Sequence, residues 1–108
     1  MIMVSNTIKV KKGYGKEVAN RFKDSKGIHQ FDAFVRMEVL LTRHTEDHDL
    51  VKVCTFWESE EGYKEWRHSD VFKKSHEKRP DPKGNEQRES VILGNKPEIH
   101  DVIVTLAK

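Results

Sequence analysis

Cysteine is almost missing from this chain. Cys54 has no second thiol to bond, so an internal disulfide is excluded and a reducing compartment suits the protein. Long apolar runs are missing too: no stretch approaches the ~20 residues that a membrane-spanning helix needs. The leading MIMVSNTIKV is too short in apolar residues for a signal peptide and lacks a basic start. The expectation is a soluble, cytoplasmic protein with no membrane partner. Neither sign of charge dominates: 20 Lys and Arg stand against 18 Asp and Glu, for a net charge of +2. A nucleic-acid binder usually carries a one-sided basic field, so none is expected here. Internal repeats and coiled-coil heptads are also lacking. With 35% hydrophobic and 35% charged residues, the 108-residue chain is polar for its size. Its length predicts one domain over 1–108. The core is modest enough that burial across a dimer interface would help it.

What the chain does carry is concentrated in residues 51–79. Val51, Val53 and Thr55 alternate with Lys52, Cys54 and Phe56, the period of a β-strand. Ser59 is a good N-cap, followed by Glu60 and Glu61 where carboxylates suit the positive end of the helix dipole. Ser69 and Asp70 repeat that signal, predicting a second helix start and a bend near His68. On this second helix Phe72 and His76 share a face at i, i+4 spacing. An imidazole therefore sits on the apolar side, with Trp66 close by in sequence.

The remaining elements read in order. Residues 2–10 form a strand in which Ile2, Val4, Asn6, Ile8 and Val10 make one row. Asn6 interrupts that row. A polar amide on a core face costs free energy unless its hydrogen bonds are met. Taken alone, it reads as an Asn bonded to neighbouring backbone; its alternative is an amide aimed into a ligand cavity. Lys11 to Gly13 make a turn, and Gly15 to Lys23 a helix with Val18 and Phe22 inward. Residues 24–32 read as a loop or a single helical turn. Ala33 to Thr42 form a strand whose row Val35, Met37, Val39, Leu41 is almost purely apolar. Residues 43–49 make a charged turn; His44 and His48 within it invite a metal reading, but a mobile polar tip is the better one. Residues 80–90 form a loop that is either a lid or a plain connector. The last strand is expected over Pro97 to Leu106.

Strand, helix, strand, strand, helix pair, strand is the order of the split βαβ, ferredoxin-like α+β fold, an antiparallel sheet with helices on one face. The row of Val35, Met37, Val39 and Leu41 is expected on the uncovered face. Two such sheets packed face to face would cover each other, predicting a homodimer with two-fold symmetry.

At this point the residues resemble a known family. Asn6, Trp66 and His76 match the Asn–Trp–His triad of the IsdG-type haem-degrading monooxygenases. The resemblance extends to NTIKVKKG, the Arg21-Phe22 pair, the FWESEEGYKEW run, SDVFKKSH and the late ILGNK, and so covers nearly the whole chain. Departures lie mainly in the 43–49 turn and the 80–90 loop.

The resemblance implies a dimeric α+β barrel of the antibiotic-biosynthesis-monooxygenase type, with haem as both cofactor and substrate in each subunit. It implies His76 as the axial ligand to haem iron, Asn6 as a hydrogen-bond donor on the side where O₂ binds, and Trp66 as the group that distorts the macrocycle. With O₂ and an external electron donor the ring opens and iron is freed. The residue types suit these roles. Imidazole is a common proximal ligand, the Asn amide donates without titrating, and Trp is bulky and rigid. Pocket walls are expected from Phe22, Val53, Phe72 and Ile8 or Val10, and propionate partners from Arg21, Lys23 or Lys26. Trp57 and Tyr63 read as packing residues and Cys54 as a small buried hydrophobe. Singly, Trp66 would read as a core anchor and His76 as a surface histidine; their joint occurrence with Asn6 reverses that. Two alternatives stand beside this reading: a haem-binding protein that does not turn over, and a cofactor-free monooxygenase of an aromatic substrate.

Overall fold

Four antiparallel strands form one sheet, in the order β2-β3-β1-β4. They are β1 (Ile2–Lys11), β2 (Phe34–Leu41), β3 (His48–Trp57) and β4 (Ile92–Asp101); α1 (Gly15–Asn20) and α2 (Glu60–Arg67) are helices fully within the described residues. A computed structural model describes residues 1–24, 27–70, 72 and 91–108. The expected 80–90 loop, Lys26 and His76 lie outside the described residues. The strand order and antiparallel pairing are those of the ferredoxin-like fold read from the sequence.

Local chemistry explains each join. Asp49 accepts from the backbone N–H of Gly13 at 3.0 Å and of Gly15 at 2.9 Å, which ties the β1–α1 turn to the start of β3. A Cβ on Gly15 would lie 2.8 Å from that carboxylate, so the close approach requires glycine. Those two bonds hold the Asp49 carboxyl below its ordinary pKa, with the Gly15 bond as the main cause. Ser59 caps α2 by accepting from Gly62 N at 3.1 Å. Ser69 does the same for Phe72 N at 3.1 Å, as the second cap signal predicts. A Cβ on Gly62 would overlap that of Ala33, so only glycine lets α2 approach the chain entering β2.

The core falls into two clusters. Ile8, Val10, Val18, Val51 and Val91 form one, with Phe22, Val39 and Val53 packed against it. Ile2, Ile28, Trp57 and Tyr63 form the other, with Val4, Phe34 and Trp66 against it. Trp57 is fully buried, and its indole N–H donates to Thr55 Oγ1 at 2.9 Å. Phe34 and Tyr63 meet its ring edge-on at 5.3 and 5.7 Å. Cys54 is buried, as expected, and burial pushes its thiol pKa up.

Several sequence expectations are corrected. The last strand is Ile92–Asp101, not Pro97 to Leu106. Asp101 pairs with Ile2, and Val102 N reaches Met1 O at 3.0 Å, so residues beyond 102 run past the end of β1. Ile103 and Leu106 are accordingly 84% and 92% exposed. β3 begins at His48, inside the expected turn, because His48 and Asp49 pair with Lys11 and Val10. α1 gives way at Arg21 to a 3₁₀ turn, Arg21–Asp24, rather than running to Lys23. The row on β2 is not on the open face. Met37 and Val39 pair with Thr55 and Val53 on the helix side, where Val39 packs against the first cluster, while an irregularity at Phe34/Arg36 sets Val35 apart.

Candidate functional site

Between the two core clusters lies a cavity of about 320 Å³, within the size range of small-molecule sites. Its walls draw on both clusters: Phe22 and Val53 from one, Val4, Ile28, Tyr63 and Trp66 from the other. Phe72, Met37, Pro97 and Thr55 complete the apolar and hydroxyl-bearing lining, and Asn6, Asn95, Ser5 and Arg67 supply further polar groups.

Asn6 reaches this cavity because alternation along β1 aims it to the helix side, between its cross-strand neighbours Val53 and Pro97. Among the described residues its side chain makes no hydrogen bond to neighbouring backbone. The Oδ1 atom accepts from Asn95 Nδ2 at 3.1 Å, from the edge strand β4. An amide whose oxygen is already engaged has its NH₂ left to donate elsewhere.

Trp66 stands in the last turn of α2, held on several sides by rings. Phe72 meets it edge-on at 4.6 Å, Trp57 lies at 5.5 Å and Tyr63 at 6.3 Å. Such a cage leaves the indole little rotational freedom. Phe22 and Phe72 both line the cavity, as the sequence suggests, and so does Val53.

The expectations for Ile8, Val10 and the propionate cations fare differently. Ile8 and Val10 are buried in the first cluster and do not line the cavity. Arg21 stays off the cavity wall and pairs with Glu17 at 3.5 Å. Lys23 is exposed and also off the wall. Nine of the lining residues escape the sequence reading, and three of them bear on the chemistry of the site. Arg67 follows Trp66 on α2 and looks like any charged helix-end residue. Asn95 sits in a polar strand with no alternation to mark it. Tyr63, read as a packing residue, also faces the cavity. Among the described residues no group of three or more His, Cys, Asp or Glu is placed to hold a metal ion. His48 Nδ1 is bonded to Asp47 at 2.7 Å.

Comparison with known proteins agrees with this geometry. Residues 1–78 match the model of the antibiotic biosynthesis monooxygenase family. A Staphylococcus saprophyticus protein described as a staphylobilin-producing heme oxygenase is 36% identical over 107 residues, covering 99% of this chain and 100% of its own. A Halalkalibacterium halodurans heme-degrading monooxygenase is 36% identical over 104 residues, covering 96% of this chain and 84% of its own. Among solved structures, the Mycobacterium tuberculosis heme degrader MhuD, with two hemes in its active site, superposes with a TM-score of 0.73. It is 21% identical, and the match covers 99% of this chain and 100% of that one, a likeness of fold. This chain therefore belongs to the antibiotic biosynthesis monooxygenase family.

Proposed function

We infer that the protein is a haem-degrading monooxygenase, binding haem in the cavity between its two core clusters and opening the macrocycle to release iron. One observation carries this reading. Asn6 and Trp66, far apart in sequence, line the same largely apolar cavity in a chain 36% identical over its length to a heme oxygenase. The lining also fits the group chemically, with aromatic and aliphatic walls for a macrocycle and few polar atoms. When bound, haem supplies the iron that activates O₂ and is itself the substrate.

The chain's own residues divide the remaining work. Asn6 donates its amide N–H into the cavity, where it orients a polar ligand atom without losing a proton. Trp66 would press on a bound macrocycle from a fixed position, because the neighbouring rings oppose its displacement. Phe22 and Phe72 exclude water. His76, outside the described residues, would hold the haem iron through its imidazole, an assignment made on its place in the SDVFKKSH motif. Electrons come from an external donor.

Among the described residues no helix is long and apolar enough to cross a membrane. The lone, buried Cys54 supports a reducing, cytoplasmic setting. Exposed Leu40, Ile99, Ile103, Val104 and Leu106 support a homodimer that covers them. Light scattering checks that state.

The deciding experiment is a haem titration followed by visible absorption, then addition of ascorbate in air. The expected result is a saturable Soret band that decays after reductant, with release of chelatable iron. A band that persists identifies a haem carrier instead. No saturable band shifts the reading to a cofactor-free oxygenase of an aromatic substrate.

A further inference from the structure

α2 ends one residue after the tryptophan that walls the cavity. That residue, Arg67, is the sole formal charge among the described residues lining the cavity. It makes no ion pair among the described residues. Its Nη1 donates to Tyr63 Oη at 3.5 Å, a long and uncharged contact. Its guanidinium carbon lies 5.1 Å from the centre of the Phe72 ring, which also lines the cavity. Tyr63 and Phe72 thus hold the planar fork at the cavity edge, while among the described residues most of its N–H donors have no partner.

A cation at the lip of an apolar hole selects for a ligand with an apolar body and an anionic edge. Haem has that character, with a hydrophobic macrocycle and propionate carboxylates at one side. Arg21 is paired with Glu17 away from the wall, and Lys23 does not line the cavity, so neither competes for this role. We propose that Arg67 binds a propionate carboxylate of haem, making it the residue through which the site prefers the free acid to its ester. This inference rests on the haem reading above.

The test compares haem with haem dimethyl ester, each titrated from the same solvent stock into wild type, Arg67→Gln and Arg67→Lys, with the Soret band as readout. Wild type is expected to bind the diacid about five- to tenfold more tightly than the diester, since one exposed charge-assisted contact separates them. Arg67→Gln is expected to lose most of that preference by weakening the diacid alone. Arg67→Lys keeps part of it, and added salt reduces it in wild type. Any loss of stacking on Phe72 affects both ligands alike and cancels in the ratio. A preference undiminished in Arg67→Gln overturns the proposal, as does a wild type that binds both ligands equally; in either case the haem reading stands. A wild type that binds neither ligand overturns the haem reading, and the role of Arg67 with it.

Discussion

Asn95, on the edge strand, donates its Nδ2 to Oδ1 of Asn6 at 3.1 Å across the β1–β4 ladder. This bond fixes which end of the Asn6 amide is spent on the protein and which is left for a ligand. Asn6→Ala is therefore expected to reduce haem turnover by ~10²-fold, the usual scale for removing one preorganised donor. Haem affinity should stay within about threefold. Single-turnover decay of the Soret band, beside a haem titration, separates the two effects. Turnover at the wild-type rate would remove Asn6 from the chemistry.

Asn95→Asp tests the orientation itself. The new carboxylate accepts only, so the Asn6 NH₂ is expected to turn toward it and present its oxygen to the cavity. Turnover should fall nearly as far as in Asn6→Ala, while Asn95→Ala, which only frees the amide, falls less. The C–O stretch of the carbon monoxide complex reports the same change without turnover.

His76→Ala should abolish the Soret position of an imidazole-ligated haem and weaken binding. Added imidazole is expected to restore the spectrum. An unchanged spectrum would mean that another group ligates the iron.

Trp57 is enclosed by Phe34, Tyr63 and Trp66, with its N–H bonded to Thr55. Trp57→Ala should cost about 3–5 kcal/mol, the range for emptying a buried aromatic site. Urea denaturation measures it. A cost below about 1 kcal/mol would mean that the second cluster collapses readily around the gap.

Asp49 gives a pH signature. Its folded pKa is depressed by the Gly15 and Gly13 N–H groups. Its contribution to stability is therefore present above the unfolded carboxylate pKa and is lost as pH falls through the folded value. Asp49→Asn should lower the melting temperature at neutral pH and flatten its decline as pH falls from the ordinary carboxylate pKa through the folded value. Parallel melting curves for variant and wild type across that window would contradict the assignment.

Much of this was legible along the chain, for reasons that also set the limits. Asn6 stood out because it broke an otherwise apolar row, and the fold does aim it at the cavity. Trp66 and Phe72 were readable from the caps at Ser59 and Ser69, which fix where each turn of helix begins. Ile8 and Val10 share the face of Asn6, but period 2 says nothing of distance along a strand. Val10 lies four residues on, about 13 Å at 3.3 Å per residue, and is buried within the first cluster, off the cavity wall. β4 was misplaced because all ten of its residues are exposed. Its bounds come from pairing with β1, a non-local choice that no local pattern records. Arg67 and Asn95 carried no periodic signal, and only their neighbours in space give them meaning.

The cavity separates two hydrophobic clusters that share one sheet, and that division has a consequence for how the protein holds together. Each cluster is small, and side chains from both line the cavity. A macrocycle seated there would touch both at once, becoming the shared centre of a single larger core. Substrate and scaffold would then be thermodynamically linked: loading raises the melting temperature by mass action and binds the two halves into one cooperative unit. Opening the ring removes the flat body that bridged them. The reaction would thus dismantle part of the enzyme's own interior, and the loosening that follows would favour release of the product.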